Sequence, residues 1–155
     1  MGDTNRIIYA TDLSPASLAA FPHAIHLALA LGAELIIFHV LPAPVDVLMA
    51  DGGYVPQETW DDVYAGLRAQ ADAELDRLVK DAADSGVRVT TSIVDGGTAD
   101  EQIVRAARDL KAEMLVLGTH GRTGVAKFFL GSVAARVVAT APCPVLTVRA
   151  EEATR

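Results

Sequence analysis

The chain has 155 residues, of which 51% are hydrophobic and 21% are charged, a composition that excludes a disordered chain and at this length predicts one globular domain, residues 1–155. Its net charge of −7 argues against a general binder of nucleic acids or of membrane surfaces. A single cysteine excludes an internal disulfide and, since no secretory leader is visible, predicts a reducing, cytoplasmic location.

The first forty residues combine a strand, a helix and a second strand. Residues 6–11 form a short apolar run that predicts a buried strand. A serine and a proline at 14–15 are a typical helix start, and apolar residues recur at helical spacing as far as Leu31, before a glycine that predicts the helix end. Pro22 lies inside this pattern, so we expect a kink there. Residues 34–40 predict the second strand.

The middle of the chain contains an irregular segment, a long helix and a third strand. Residues 42–57 hold three prolines and two glycines, and a loop of this length in a compact domain is usually functional or mobile. Thr59 and Asp62 resemble a capping box, and one apolar face continues from there to a helix end near Gly86. Residues 87–94 alternate apolar and polar side chains, which predicts a strand and is compatible with an edge position.

The last third of the chain continues the alternation of helices and strands. A capping box at 98–101 predicts a helix start. Residues 113–117 predict the fourth strand, residues 133–140 a helix and residues 145–148 the last strand. The order β-α-β-α-β-α-β-α-β predicts an α/β fold, a doubly wound five-stranded parallel sheet with helices on both faces.

A sheet of this kind predicts where a ligand binds. Ligands of doubly wound sheets lie beyond the carboxyl ends of the strands, where the strand order reverses. The strand ends expected to line that crevice are Thr11–Asp12, Val40–Leu41 and Leu117–Gly118.

The clearest chemical signal lies in residues 114–133, Met-Leu-Val-Leu-Gly-Thr-His-Gly-Arg-Thr-Gly-Val-Ala-Lys-Phe-Phe-Leu-Gly-Ser-Val. An apolar strand stops at a glycine-rich loop, and a helix restarts after Gly131 and Ser132. Glycine lets the main chain approach an anion closely, and a helix start presents unpaired N–H groups. From Gly118 to Ala150 the chain has four basic residues and no Asp or Glu. The pattern therefore predicts a phosphate-binding loop.

Two common nucleotide motifs are excluded. The loop holds no Gly-Lys-Ser or Gly-Lys-Thr, so it is not a Walker A loop, and it lacks Gly-x-Gly-x-x-Gly and follows the fourth strand instead of the first. Kinase-like and NAD-dependent chemistry are therefore disfavoured. His120 and Lys127 are weak candidates for phosphate contact. The remaining histidines and the cysteine are not spaced like metal ligands, so we expect them to be structural or at the surface. They are His23, His26, His39 and Cys143.

The spacing of the loop resembles that of the universal stress protein family. Gly118, two residues, Gly121, nine residues, Gly131 and then Ser132 match the nucleotide loop of its ATP-binding branch. The flanks Gly-Thr-His-Gly-Arg and Ala-Pro-Cys-Pro-Val-Leu-Thr-Val-Arg are similar as well. The site that the resemblance implies consists of Asp12 at the nucleoside, Val40 at adenine, Leu117 and Gly118 in the pocket wall, Gly121 and Gly131 at the ribose and phosphates, and Ser132 and Val133 at the phosphates.

The same resemblance implies a regulatory or protective role in the stress response, with slow ATP turnover at most. It also implies a homodimer, often built by the last strand, and Mg²⁺ or Mn²⁺ on the phosphates. Two other classes stay open: a true ATPase or phosphotransfer enzyme, and an interaction module that keeps the fold without binding a nucleotide. Simpler explanations stay open for single residues, since Asp12 could end its strand and cap the next helix, the loop glycines could serve turns, and Ser132 could be an N-cap only.

Overall fold

The computed structural model describes residues 5–43, 54–120 and 130–151, in which strands and helices alternate. The strands are β1 (Arg6–Ala10), β2 (Glu34–Val40), β3 (Val89–Val94), β4 (Met114–Gly118) and β5 (Val145–Val148). The helices are α1 (Pro15–Leu18), α2 (Phe21–Leu31), α3 (Gln57–Asp81), α4 (Ala99–Asp109) and α5 (Ser132–Thr140). None of these helices is long and apolar enough to cross a membrane.

The strands form one parallel sheet in the order β3-β2-β1-β4-β5. The chain adds strands outward from β1 to β3, returns to the other side of β1 with β4, and continues to β5. The strand order therefore reverses between β1 and β4. With helices on both faces, this sheet confirms the predicted doubly wound α/β fold.

Both faces of the sheet are buried, which explains why the central strands are continuous apolar runs. The strand residues in the cluster that includes α2 and α3 are Ile7, Tyr9, Leu35, Ile37 and Val116. Those in the cluster on the other face, with α4 and α5, are Ile8, Ala10, Ile36, Phe38, Leu115 and Leu117. A fully buried isoleucine or leucine contributes roughly 1.5–3 kcal/mol, so these two clusters hold in place the elements whose ends form the site.

The pattern that predicts one helix over 14–31 forms two helices, and the expected kink at Pro22 is wrong. α1 follows its N-cap Ser14 for one turn, and α2 begins at Phe21. Pro22 therefore lies in the first turn of α2, where a missing N–H costs nothing because first-turn N–H groups have no partner within the helix. The predicted helix end is confirmed, because Gly32 caps α2 in the left-handed conformation, with φ 60°.

The long helix α3 starts earlier than its capping-box pattern indicates. Pro56 is the N-cap and Gln57 the first residue, so Thr59 and Asp62 lie inside the helix and the predicted capping box is wrong. Proline suits this place because its φ is already fixed. The predicted end near Gly86 is close, since a short 3₁₀ helix leads from α3 to this glycine, which has φ 80°.

The two helices next to the cavity described below start close to their predicted positions. Thr98 is the N-cap of α4 in an extended conformation, but its side chain makes no capping hydrogen bond. α5 begins at Ser132, one residue before its predicted start, with Gly131 as the N-cap. The alternative that Ser132 is only an N-cap is therefore wrong, because this residue is already helical.

Tyr9 is a polar exception in the core, close to the carboxyl end of β1. Its side chain is fully buried, and its ring centroid lies 5.4 Å from that of Phe21. Its hydroxyl donates to the carbonyl of Ser17 at 2.8 Å, which ties β1 to α1. Burial raises the pKa of Tyr9 to about 12, because the phenolate would lose its hydration.

We expect Tyr9 to make the folded state less stable at alkaline pH. An unfolded tyrosine ionises near pH 10 and the folded Tyr9 near pH 12. The contribution of Tyr9 to the free energy of unfolding is therefore complete below pH 10 and is lost as the pH rises toward 12. At 1.36 kcal/mol per pKa unit, the loss reaches about 3 kcal/mol. Urea unfolding below pH 10 and near pH 12 should show this loss in the wild type and not in Tyr9→Phe. The control is Tyr54→Phe, at an exposed tyrosine, and equal pH dependence in all three proteins would contradict the explanation.

Candidate functional site

A cavity of about 280 Å³ lies at the carboxyl end of the sheet, beside the ends of β1 and β4. The strand order reverses at this place, which is where doubly wound sheets bind ligands. The apolar side chains of Phe38, Ile103 and Leu117 line it, together with the turn after β1 and the starts of α4 and α5. Its volume is close to the lower end of the range for small-molecule pockets.

The described residues that the family resemblance assigns to the site all line this cavity. They are Asp12, Val40, Leu117, Gly118, Gly131, Ser132 and Val133. Gly121, also assigned, lies outside the described residues, as does Lys127. Lining residues that the sequence pattern does not single out are Ala10, Ser17, Phe38, Ala99, Ile103, Thr119 and Ala134. The apolar residues among them carry no chemical signal of their own, and Ser17 and Thr119 belong to no motif that assigns them a role, so only the fold identifies them as cavity residues.

The main chain of Val40 is left without a β1 partner at the cavity. Alternate residues of β2 direct their N–H and carbonyl groups toward β1 and form the hydrogen bonds that join the two strands. The last of these bonds runs from the Thr11 N–H to the carbonyl of Phe38 at 3.0 Å. Val40 is the next residue on that side. Leu13 N–H donates instead to Thr11 Oγ1 at 3.0 Å, and the Thr11 carbonyl accepts from His39 Nδ1 at 2.8 Å. Within residues 5–43 the polar main-chain groups of Val40 are therefore open to a ligand on this side.

The turn after β1 holds the Asp12 carboxylate at the cavity. Its Oδ1 accepts the N–H of Ser14 at 3.0 Å and the hydroxyl of Ser14 at 2.5 Å. Leu13 has φ 66°, a left-handed conformation that costs a leucine roughly 1–2 kcal/mol. The bonds to Ser14 show that Asp12 does help to shape the start of α1. Its place in the cavity wall means that a ligand role is compatible with this structural one.

Two glycines are needed here for close packing and not for a left-handed backbone. A Cβ at Gly118 would lie 3.1 Å from Cα of Ser17 and 3.2 Å from the carbonyl oxygen of Ala16. A Cβ at Gly131 would lie 3.0 Å from the carbonyl oxygen of Thr119, which accepts the Gly131 N–H at 2.7 Å. Gly118 thus lets α1 pack against the end of β4, and Gly131 lets the start of α5 approach the chain that leaves β4.

The start of α5 presents main-chain N–H groups at the cavity. Its N-cap, Gly131, has no side chain to cap the helix, and its first residues, Ser132 and Val133, line the cavity. First-turn N–H groups have no partner within their helix, and the helix dipole adds a partial positive charge. Together these features favour an anion at this end of the cavity.

One ring nitrogen of His120 has no hydrogen-bond partner among the described residues. Nδ1 lies 2.9 Å from Oγ1 of Thr119, whereas Nε2 is buried and makes no hydrogen bond within residues 5–43, 54–120 and 130–151. An unpaired buried polar atom costs about 1–3 kcal/mol, but Nε2 is enclosed by the protein, so phosphate contact through it stays a prediction. His39 is 2% exposed and bonds the Thr11 carbonyl, which agrees with its expected structural role.

The remaining candidates lie away from the cavity. His23 and His26 are exposed on α2. Cys143 is half-buried just before β5, and burial raises the pKa of its thiol. In the described part of the chain, no group of three or more His, Cys, Asp or Glu side chains is placed to hold a metal ion.

The fold and the cavity define a doubly wound α/β protein with a cavity where its strand order reverses, and comparison with known proteins identifies the family. Residues 4–149 match the model of the universal stress protein family. A universal stress protein of Methanocaldococcus jannaschii is 37% identical over 145 residues, which cover 93% of this chain and 81% of the relative. The universal stress protein YxiE of Bacillus subtilis is 33% identical over 147 residues, with coverages of 94% and 99%. The chain therefore belongs to the universal stress protein family.

Solved structures agree with this assignment. The protein MJ0577 of Methanocaldococcus jannaschii has a TM-score of 0.82 and 26% identity, covering 98% of this chain and 100% of its own. A universal stress protein in complex with cAMP has a TM-score of 0.66 and 27% identity, with coverages of 96% and 98%.

Alanine substitution at two glycines separates packing from helix propensity. Gly118→Ala places a Cβ 3.1 Å from Cα of Ser17, so α1 has to move and we expect a loss of roughly 1–3 kcal/mol in the free energy of unfolding. Gly66→Ala, within α3, meets nothing within 4 Å and should add roughly 0.5–1 kcal/mol. Denaturant unfolding measures both. A Gly118→Ala protein as stable as the wild type would contradict the packing explanation.

Proposed function

We propose that the chain, residues 1–155 acting as a single domain, binds ATP in this cavity and serves a regulatory or protective role in the stress response. The observation that carries the proposal is the arrangement of the cavity, with open main-chain groups of Val40 at one wall and the start of α5 at another. A relative that is 27% identical has been solved with cAMP, which is also an adenine nucleotide. The cytoplasmic location and the lack of a nucleic-acid partner stay predictions.

The wall near Val40 suits adenine. The base is flat and largely apolar on its faces, and Phe38, Ile103 and Leu117 line the cavity. Its edge carries a donor beside an acceptor, which matches the carbonyl and N–H of a main chain. Val40 presents both groups on the side that β1 leaves open, so it is the residue that we assign to the base.

The wall near α5 suits the phosphates. The first-turn N–H groups at Ser132 and Val133 and the positive end of the helix dipole favour negative charge. The hydroxyl of Ser132 adds a further donor, and Gly121 and Gly131 complete the assignment by their spacing. Since the described residues offer no metal cluster, Mg²⁺ or Mn²⁺ would be held mainly by the phosphate oxygens.

The described residues that line the cavity do not suit fast phosphoryl transfer. That chemistry needs a positioned general base and carboxylates that hold the metal ions. Among the described residues that line the cavity, Asp12 is the one with a carboxylate, and we assign it to the ribose hydroxyls. Binding with little turnover is therefore the function that this set of groups supports best.

Isothermal titration calorimetry with Mg-ATP tests the proposal, and we expect binding by the purified protein. Ala99→Phe fills the cavity from the first residue of α4 and should weaken binding roughly tenfold or more. Ala73→Phe, on the exposed side of α3, is the matched control and should leave affinity unchanged. On the same sample, ATP turnover should stay below roughly 0.1 s⁻¹, about a hundredfold under the median for enzymes.

Each other outcome points to a different function. Absence of binding by ATP, ADP, AMP and cAMP would favour an interaction module that keeps the fold without a nucleotide. Turnover well above that limit would favour an ATPase or phosphotransfer enzyme. Unchanged affinity in Ala99→Phe would place the nucleotide somewhere other than this cavity.

We also propose a homodimer built through the outer edge of β5. Within the described residues β5 pairs with β4 alone, and Val145, Leu146 and Val148 are each half-buried. An apolar strand edge with unpaired main-chain groups is a template for a second strand. A second copy of this chain would cover it by pairing β5 with β5.

The main-chain direction of Thr147 offers a selective test of this dimer. Leu115 N–H donates to the carbonyl of Pro144 and Thr119 N–H to that of Val148, so the N–H of Thr147 points away from the sheet. Thr147→Pro removes this outward donor without disturbing the bonds to β4, and proline is tolerated on an edge strand. Sedimentation velocity should show a dimer for the wild type and for Thr147→Ala, and a monomer for Thr147→Pro. A dimeric proline variant would exclude this edge as the interface.

A further inference from the structure

The hydroxyls of Thr11 and Ser17 form a hydrogen-bonded chain that ends at the main-chain carbonyl of Ser14, across the turn that carries Asp12. Oγ1 of Thr11 lies 2.7 Å from Oγ of Ser17, and these two residues are only 6% and 4% exposed. Oγ of Ser17 also lies 3.1 Å from the carbonyl oxygen of Ser14, and Oγ1 of Thr11 accepts the N–H of Leu13 at 3.0 Å. The chain therefore joins both ends of the turn at the edge of the cavity.

The direction of each hydrogen bond follows from the number of protons. A carbonyl oxygen can only accept, so the single hydroxyl proton of Ser17 goes to Ser14. Thr11 must then donate to Ser17, and the lone pairs of Thr11 accept Leu13 N–H. Oγ of Ser14 accepts the N–H of Ser17 at 3.2 Å and donates to Oδ1 of Asp12 at 2.5 Å. All three hydroxyl protons are thus used within the turn, and none is left for a ligand.

Ser17 connects this turn to the rest of the molecule. Its carbonyl accepts the hydroxyl of the buried Tyr9 at 2.8 Å, and its Cα packs against Gly118 of β4. Leu13, inside the turn, has φ 66°, and a residue in this conformation persists only where its surroundings fix it. The hydroxyl of Ser17 joins the anchored helix α1 to both ends of the strained turn, at Thr11 and at Ser14.

We propose that Ser17 is a positioning residue that directs the Asp12 carboxylate into the cavity by fixing the 11–14 turn through Thr11 and Ser14. The inference rests on the proposed nucleotide function, in which Asp12 accepts the ribose hydroxyls. A carboxylate already held in place binds these donors without the entropy cost of ordering the turn. Because the proton of Ser17 is engaged in the turn, its removal affects binding through Asp12 and not through a lost donor to the nucleotide.

A double-mutant cycle on ATP affinity tests this coupling. By calorimetry, Ser17→Ala should weaken binding about 3- to 10-fold, the usual size of one hydrogen bond. Ser17→Ala combined with Asp12→Ala should bind no more weakly than Asp12→Ala alone, because Ser17 acts through Asp12. Ser85→Ala is the matched control, since its hydroxyl also donates to a local carbonyl, that of Ala82 at 2.6 Å, in a turn that does not line the cavity.

Amide hydrogen exchange without nucleotide separates this inference from the proposed function. The N–H groups of Leu13 and Ser14 are both bonded to side chains of the turn, so they should exchange faster in Ser17→Ala and unchanged in Ser85→Ala. Thr11→Val removes the same hydroxyl pair from its other side, which covers a Ser17→Ala protein that fails to fold. Because it also removes the acceptor of the Leu13 N–H, its readout is the Ser14 N–H, which should again exchange faster.

The outcomes divide as follows. Unchanged exchange of the Ser14 N–H in Ser17→Ala, or in Thr11→Val where Ser17→Ala does not fold, overturns the inference, whatever the nucleotide does. Faster exchange with additive effects of Ser17→Ala and Asp12→Ala on affinity also overturns it, because Ser17 would then act on binding independently of Asp12. Faster exchange in a protein whose wild type binds no adenine nucleotide overturns the proposed function alone and leaves the ordering of the turn in place.

Discussion

At the carboxyl end of β1 the main chain leaves the sheet while β2 continues, and the cavity depends on this difference in length. Thr11 makes the last ladder bond to β2, after which the chain turns away at Leu13 and starts α1. The strand on the other side of β1 is β4, and the order of the sheet reverses between these two strands. The polar main chain of Val40 and the start of α5 consequently face the same space.

The walls of this space are held in place by contacts that only small or short side chains permit. Gly118 lets the backbone of α1 pack against β4, and Gly131 lets the start of α5 approach the carbonyl of Thr119. The hydroxyls of Thr11 and Ser17 then fill the small volume between the turn and α1 with hydrogen bonds. A larger residue at any of these positions would move an element that forms the cavity. The packing of α1 and α5 therefore determines the shape of the cavity.

Periodicity and spacing predict the fold well because they are local properties of the chain. The apolar runs gave each strand to within about two residues, and the alternation of elements gave the parallel sheet. The predictions made at Pro22 and Thr59 were wrong because neither a proline nor a capping pattern shows whether the residue lies at the start or in the interior of a helix. The role of Ser17 could not be predicted, and Val40 was assigned to the base by family resemblance alone. The hydrogen bonds of Ser17 and the open main chain of Val40 both depend on where β1 stops relative to its neighbours, which is a property of three-dimensional register.

The position of Thr119, directly after β4, also bears on how the proposed nucleotide would act without being consumed. Thr119 lines the cavity, and its N–H donates to the carbonyl of Val148 at the end of β5 at 3.0 Å. The residue at the cavity and the strand at the sheet edge are therefore joined by one main-chain bond. A ligand changes an assembly only if it binds one state more tightly than another. If the proposed nucleotide binds beside Thr119 and the edge of β5 pairs two copies, a contact with Thr119 would act directly on the strand that pairs, and this link requires binding but no hydrolysis.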